Sequence, residues 1–440
     1  MCGIFSILSK DGINIRLLVD IMDDLNHRGR DSYGISYVQE NDKTIHSLKS
    51  LGKFEKDMDI ENITIGITHN RYSTRKNKLN FESEIQPIKF KNQYIEFDLV
   101  HNGNIEAVER YIEYADNDLS DTQNIMKFFK ETTPETFERV LMQFMNTIHC
   151  SFSIIILVDD TLYAMRDRYG YKPMSLGKIK NDYCISSEDC VKGFIKRRDI
   201  QAGEIMKINS NGFETIYHKD DTSQLKCIFE FIYFMNENST FNNHKVHAIR
   251  RNLGIKLATL EKYVYNKKDT IVIGSPNTSI PMGEGYAEAL KLEYRQALRK
   301  KKECGRTFIL KDQSLRKEYC KKFIIDTQSI RDKIVILVDD SIVRGNTIQS
   351  LSDMLYEHGC KELHIRICSP ELKHPCIYGI DIPTREELII NKYTISQIEE
   401  RCRLTSIRYI TIEKMMEAFS GDKEFCCACF DGNYNKELDW

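Results

Sequence analysis

The sequence lacks a strong charge of either sign: 63 Lys and Arg stand against 65 Asp and Glu in 440 residues. That balance leaves no basic stripe of the kind that follows a phosphate backbone, so no nucleic-acid partner is expected. No apolar run reaches the roughly eighteen residues of a membrane span. The N-terminus, MCGIFSILSKDG, has neither a basic n-region nor a long apolar core, and it is not Arg-rich. Secretory and transit signals are therefore not expected, and a cytoplasmic location off the membrane is. Internal repeats, low-complexity tracts and long flexible linkers are missing too. Cysteine is the exception to this plainness, at fourteen residues. They are scattered rather than regularly spaced, in a chain too long for a small disulfide framework. Reduced thiols, some of them metal ligands, are the expectation.

What is present is length enough for two or three domains and one organising stretch, IVILVDDSIVRGNT, from Ile334 to Thr347. The apolar run Ile334 to Val338, with no alternation, suits a strand buried on both faces of a parallel sheet. Asp339 and Asp340 follow, then a turn, then a helical pattern that stops at Gly359, a good C-cap. This order places a loop at the carboxyl end of a strand and at a helix N-terminus. Open α/β sheets bind ligands there, and free N–H groups favour phosphate. Gly345 lets backbone approach such a group, and Ser341 and Thr347 add hydroxyl donors. Phosphate alone would not want two carboxylates beside it. A phosphorylated sugar with bound Mg²⁺ would, because carboxylates accept from ribose hydroxyls and offset cationic charge. The bland alternative is a strand with a polar turn.

In the first half, CGIFSIL at 2–8 reads as a strand. Small Cys2 behind Met1 permits removal of the initiator methionine. Cys2 would then carry both a thiol and a free α-amine. An amine with a pKa of about 8 can take the thiol proton at neutral pH, so one residue supplies nucleophile and base. Further polar stretches each close or open an element. HRGRDSYG at 27–34 follows the amphipathic IRLLVDIMDDLNH. THNRYST at 68–74 follows the strand-like ITIGI, and HNGNIE from His101 follows YIEFDLV. SDTQ at 120–123 heads a helical pattern. Side chains at element ends can converge on a site. From His247, AIRRNLGIKLATLEKYVY reads as one helix, and DTIVIGS at 269–275 as a strand.

With RDRYGYKPMSLG at 166–177 and ISSED at 185–189, the first-half motifs resemble the class II glutamine amidotransferase domain of the N-terminal nucleophile (Ntn) hydrolases. That fold is an αββα sandwich, and the match runs from Cys2 to about Ile208. The second half resembles the type I phosphoribosyltransferases, with a central, mainly parallel sheet that binds 5-phosphoribosyl-1-pyrophosphate (PRPP). VILVDDSIVRGNT is close to the form in the amidophosphoribosyltransferase family, and this resemblance covers about residues 2–435. It implies that Cys2 attacks the side-chain amide of glutamine, with Asn102 and the Gly103 N–H as the oxyanion hole. Arg71 would pair with the substrate's α-carboxylate, and Asp121 would accept from its α-amino group. The alternatives are a surface salt bridge for Arg71 and a helix N-cap for Asp121. The family often has Gly before the His of its GH-x-R motif; this chain has Thr68 before His69.

For PRPP the resemblance implies Asp339, Asp340, Ser341, Arg344, Gly345 and Thr347. It adds Ser279, in PNTS, to a Mg²⁺ site with Asp339 and Asp340; the alternative for Ser279 is an ordinary helix cap. The basic stretch 299–323 aligns with the family's lid, with Lys300 and Arg306 covering pyrophosphate as it leaves, rather than forming a solvated cationic face. Glu303 stands where the family commonly has an aromatic residue, and Phe323 where it commonly has Lys.

Cys426 and Cys429 make a C-x-x-C, by itself ambiguous between zinc, redox chemistry and nothing. Some members of the family carry an iron–sulfur cluster on four cysteines, and this chain has Cys at each of those positions: Cys227, Cys376, Cys426 and Cys429. The resemblance thus implies a [4Fe–4S] cluster that staples the C-terminal segment to the seam between domains, with Zn²⁺ in the same thiolates as the alternative. Cys427 could replace Cys426, though C-x-C fits the motif less well.

The composition changes near residue 225, which sets expected domains of 2–225 and 226–440. Sugar isomerase and ATP-pyrophosphatase motifs, carried by other class II amidotransferases, are absent from the second half. The expected activity is glutamine hydrolysis in the first domain and displacement of pyrophosphate from PRPP by the released ammonia in the second. The product, 5-phosphoribosylamine, opens purine synthesis. The resemblance also implies purine-nucleotide inhibitors and a homotetramer or homodimer. The rival is a catalytically impaired homologue that binds PRPP or glutamine as a regulator.

Overall fold

The computed structural model describes residues 1–55, 58–72, 82–219, 224–301, 323–382 and 384–435. The first half opens with strand β1 (Gly3–Ile13) and helix α1 (Ile15–Asp24). Leu18, Val19, Ile21 and Met22 make one buried stripe of α1, and Asn14 caps it by accepting from the Arg16 N–H. Strands β2 (Ser32–Gln39), β3 (Asp42–Ser50), β4 (Ile63–Arg71), β5 (Ile88–Lys91) and β6 (Glu96–Asn104) follow. Helices α2 (Asp121–Phe128) and α3 (Phe137–Thr147) precede β7 (Ser151–Val158) and β8 (Thr161–Arg166). The series ends with β9 (Ser175–Ile179), β10 (Asp182–Ser186), β11 (Phe194–Asp199), β12 (Glu204–Asn209) and β13 (Gly212–His218).

Among the described residues these strands form two antiparallel sheets, ordered β11-β9-β10-β1-β4-β2-β3 and β13-β12-β8-β7-β6-β5. Ile4, Ile65 and Ile67 of one sheet pack on Val100, Ile155 and Leu157 of the other. The outer face of the first sheet is covered by α1, through Leu18 and Met22 against Phe5 and Ile7. The outer face of the second is covered by α2 and α3, through Ile125, Leu141 and Phe144 against Phe97 and Phe152. Helix, sheet, sheet, helix is the expected αββα order.

Two strands run further than their sequence suggests. β4 continues through Thr68, His69 and Asn70 to Arg71, and β6 continues through His101, Asn102 and Gly103 to Asn104. These polar residues have little strand preference of their own. Pairing overrides it: Asn102 lies opposite Ser153 and Gly103 opposite Phe152, while Thr68 lies between Phe5 and Ile35. Thr68 is thus an interior strand residue, not part of a loop.

The second half holds a parallel sheet ordered Glu293–Tyr294, Thr270–Gly274, Ile334–Asp339, Glu362–Ile367, Ser406–Tyr409. Its middle strand, Val335 to Val338, is fully buried, as an apolar run without alternation requires. The helix expected over 248–265 spans Val246–Ala258. Its buried stripe ends at Leu257 and Ala258; Val264 is exposed, and Glu261 turns away to pair with the buried Arg366.

The halves are joined by a buried ion cluster. Arg28, from HRGRDSYG, is paired with Glu188 of the first half and with Glu230 of the second (2.9 Å). All three are at most 1% exposed. Glu188 also accepts from the Asn236 N–H (2.7 Å) and the Ser239 hydroxyl (2.6 Å). Removing the cation would strand two carboxylates without water. Arg28→Met is expected to cost about 3–5 kcal/mol, seen as a lower unfolding temperature; an unchanged melting curve would show that the seam is held by apolar packing instead.

Candidate active site

The ends of β1, β4 and β6 and the start of α2 open into one cleft of about 400 Å³, lined by Cys2, Arg71, Glu84, Asn102, Gly103 and Asp121 among others. The Cys2 N–H donates to Asn102 Oδ1 (3.1 Å), and Arg28 Nε donates to the Cys2 carbonyl (2.9 Å). The nucleophile candidate is therefore held through its backbone on both sides, leaving its thiol near the Tyr72 carbonyl at 4.0 Å. Asn102 is fully buried, and its Nδ2 has no hydrogen-bond partner among the described residues. An amide donor buried without a partner is costly. Asn102 lines the same cleft as Cys2. Gly103 admits nothing larger: a Cβ would lie 2.1 Å from the Ser151 carbonyl and 2.6 Å from His101 Nε2.

Arg71 ends β4, buried, with its guanidinium paired to Glu84. A surface salt bridge is therefore the wrong description; the pair is buried, and both side chains face the cleft. Asp121 is the first residue of α2, not its cap. Ser120 is the cap, in a capping box with Gln123. The Asp121 carboxylate accepts from the Ile105 N–H (3.1 Å), which leaves it half-buried at the cleft. His69 is buried, and burial holds its pKa down at about 3, so it stays neutral and supports the His101 carbonyl (3.2 Å). Met1 is 2% exposed, and burial pushes its amine down to about 5. An aminopeptidase could not reach Met1 in this folded state.

In the second half, Ser279 stands at the N-cap position of the helix Ile280–Leu290 but makes no capping bond. Its hydroxyl donates instead to Asp339 Oδ1 (3.2 Å), with Asp340 Oδ2 at 3.5 Å. Burial and the neighbouring Asp340 charge push the Asp339 carboxyl up to about 8. Two buried carboxylates this close carry more negative charge than the site can hold without a proton or a cation, and the donors, two carboxylates and a hydroxyl, are hard oxygens of the type Mg²⁺ takes. Asp339 ends its strand, and the loop after it reaches Gly345, at φ +81, which opens the helix Asn346–Glu357. Ser341 donates to Asp340 (2.6 Å), and Arg344 pairs with Glu387 (2.9 Å). Thr347 lies in the first turn of that helix.

Lys300 lies opposite Phe323 in a short antiparallel pair at the base of the basic stretch. Phe323 is buried in the core with Leu298 and Ile330, which accounts for an apolar residue there. Arg306 and Glu303 lie outside the described residues.

The four cysteines converge. Cys227 and Cys426 are register partners in a two-residue parallel pair, Lys226–Cys227 with Phe425–Cys426. The Cys429 carbonyl accepts from the Lys373 and His374 N–H groups (3.1 and 3.2 Å), which brings Cys376 alongside. Burial raises all four thiols, and mutual charge raises Cys227, Cys426 and Cys429 further. Cys427 faces Asp431 as well as Cys227. Among the described residues, the His, Cys, Asp or Glu ligand atoms that lie in threes within 4.8 Å are those of His27, Glu188 and Cys190. The four thiols are set wider. Tetrahedral zinc, with Zn–S of about 2.3 Å, would bring thiolates within roughly 3.8 Å of each other. His27, Glu188 and Cys190 already have their cation in Arg28.

Sequence reasoning did not single out Lys172, in RDRYGYKP. It is fully buried, its Nζ has no hydrogen-bond partner among the described residues, and its charge bears on Cys227 and Cys376. A buried ammonium beside two of the thiols fits an anionic centre at that place. Glu84 and Gln86 also went unread; Gln86 Oε1 accepts from the His101 N–H (2.6 Å) and so steadies β6. No local pattern marks such supports.

Comparison with known proteins agrees with this geometry. Residues 69–191 match the family model of the glutamine amidotransferase domain, and residues 242–371 that of the phosphoribosyl transferase domain. The amidophosphoribosyltransferase of Methanocaldococcus jannaschii is 31% identical, over 100% of this chain and 98% of its own length. That of Staphylococcus epidermidis is 32% identical, over 98% and 90%. A solved glutamine PRPP amidotransferase from B. subtilis, complexed with ADP and GMP, superposes with a TM-score of 0.86 at 28% identity, covering 98% of this chain and 97% of that one. With an amidotransferase domain and a phosphoribosyltransferase domain in one polypeptide, and with relatives matched along its whole length, the chain belongs to the amidophosphoribosyltransferase family.

Proposed function

We propose that residues 2–225 hydrolyse glutamine at the cleft around Cys2, and that residues 226–440 pass the released ammonia to PRPP. The observation that carries the first step is Asn102: one end of its amide fixes the Cys2 backbone, and the other is a buried donor with no partner among the described residues. Loss of Met1 from the nascent chain, before folding buries it, frees the Cys2 amine to take the thiol proton. The thiolate attacks the glutamine amide carbon, and the oxygen gains the Asn102 Nδ2 and Gly103 N–H bonds. Ammonia leaves, and water cleaves the thioester to glutamate and regenerates the thiol. Arg71, steadied by Glu84, binds the α-carboxylate, and Asp121 the α-amino group.

In the second domain ammonia attacks C1 of the ribose. The C1–O bond to pyrophosphate breaks, with inversion, giving 5-phosphoribosylamine. The loop with Ser341, Arg344, Gly345 and Thr347 takes the 5-phosphate end through N–H and hydroxyl donors. Asp339 and Asp340 take the ribose hydroxyls and, with Ser279, would hold Mg²⁺, which when bound would offset charge on the leaving group. Lys300 and Arg306 belong to the lid that excludes water. The wide thiol spacing and the buried Lys172 ammonium favour [4Fe–4S] over Zn²⁺ at Cys227, Cys376, Cys426 and Cys429, in a structural role. The solved relative's nucleotide ligands support purine nucleotides as inhibitors, and a cytoplasmic homotetramer or homodimer completes the reading. No described helix is long and apolar enough to cross a membrane.

Pyrophosphate release measured with PRPP plus glutamine, then with PRPP plus ammonium, tests this reading against a regulatory homologue, which would give no product with either donor. Cys2→Ala should abolish glutamine use and leave ammonium-dependent synthesis; loss of both would contradict the division of labour. Asp339→Asn should cut PRPP turnover by about a hundredfold or more while basal glutamine hydrolysis falls little; equal losses would remove the carboxylate from the proposed site. Cys376→Ser should lower the iron content of anaerobically purified protein and its melting temperature. Colourless, iron-free, active wild-type protein would rule the cluster out.

A further inference from the structure

One wall of the glutamine cleft comes from the other domain. Gly379 lines it, although it lies some way along the chain from the phosphoribosyl loop and far from β6. Resting on the reading of Asn102 and Gly103 as the oxyanion hole, we propose that the backbone of Ile377–Gly379 is a positioning element for that hole, holding the Gly103–Asn104 end of β6 at the distance from Cys2 that glutamine hydrolysis needs.

Two contacts make this connection, on adjacent residues of β6. The Asn104 side-chain amide donates to the Ile377 carbonyl (2.8 Å). Gly379 lies flat on the Gly103 peptide: a Cβ on Gly379 would stand 3.0 Å from both the carbon and the oxygen of the Gly103 carbonyl, and 3.3 Å from Asn104 Cβ. Its φ of +91° suits glycine. A Cβ on Gly103 would in turn meet the Ser151 carbonyl and the His101 ring, so this peptide is closely packed by β7 as well. The need for an outside support follows from the ladder. Pairing of β6 with β7 carries Asn102 and Gly103 and ends at Asn104 opposite Ser151, whereas pairing with β5 ends at Leu99 opposite Ile88. On the β5 side, among the described residues, no strand neighbour fixes the peptide plane at the proposed donors.

The supporting segment is itself rigidly placed. Tyr378 stacks on Tyr171 of the first domain, with ring centres 4.2 Å apart and planes at 17°, and its hydroxyl accepts from the Asn435 N–H (3.0 Å). Oxyanion donors work only when aimed in advance, and a misplacement of about 1 Å can cost on the order of a hundredfold in rate. Ile377 and Gly379 touch neither glutamine nor PRPP in this account; they act through Gly103 and Asn104.

The test uses the full-length enzyme and both nitrogen donors. Gly379→Ala puts a methyl group against the Gly103 peptide. The glutaminase kcat should fall about tenfold or more, with KM for glutamine and ammonium-dependent synthesis each within about twofold of wild type. Asn104→Ala removes the tether without adding bulk and should give the same split, more mildly; it decides the matter if Gly379→Ala does not fold. Parallel losses with both donors, or a normal glutaminase kcat in Asn104→Ala and Gly379→Ala alike, would overturn the proposal. Asn102→Ala separates the two levels. Glutamine hydrolysis that survives there sinks the oxyanion reading itself. Hydrolysis that collapses there while the other two variants stay normal sinks the support alone.

Discussion

A guanidinium with no water around it sets the terms for this molecule. Arg28 is completely buried, so its charge must be met inside the protein, and two carboxylates meet it: Glu188 from its own domain and Glu230 from the other. Its remaining nitrogen, Nε, holds the Cys2 carbonyl. One side chain thus fixes the seam between domains and the backbone of the proposed nucleophile together. Neither can shift without exposing a charge that the low-dielectric interior cannot screen.

Charge is left over at two other places, with opposite sign. Around Asp339, Asp340 and Ser279 there is too much negative charge for a dry site, and Asp339 responds by holding its proton up to about pH 8. By Cys227 and Cys376 lies the buried Lys172 ammonium, whose Nζ has no hydrogen-bond partner among the described residues. Folded proteins rarely tolerate such imbalances without a ligand. The first suits a cation and the second an anionic centre, and both imbalances lie where the proposed Mg²⁺ and iron–sulfur groups would sit. The unpartnered Nδ2 of Asn102 belongs with them: each is a polar group kept ready in advance, at a cost to stability.

Much of this was legible from the chain alone. The parallel strand at 334–338 and its acidic end follow from an apolar run of the right length before two aspartates. The amphipathic α1 follows from its spacing. Sequence patterns misjudged boundaries where pairing overrode propensity, as with His101 to Asn104 inside β6 and Thr68 inside β4. They also overran the helix that ends at Ala258, because apolar residues beyond it serve a different neighbour. The capping alternative weighed for Asp121 falls to Ser120, since either residue type can cap a helix and the geometry of the turn chooses.

By itself, then, the sequence determined the kinds of chemistry: a thiol next to the initiator methionine, an acidic pair before a glycine turn, cysteines in a spaced set. Those depend on residue identity and short-range order, which a chain carries with it. Tertiary structure alone decided which groups face one another. Arg28 meets Glu230, Lys172 comes beside Cys227, and Gly379 rests on Gly103, across separations of many residues. Such meetings are set by how whole sheets and segments pack to bury apolar surface, and no local pattern of residues records that.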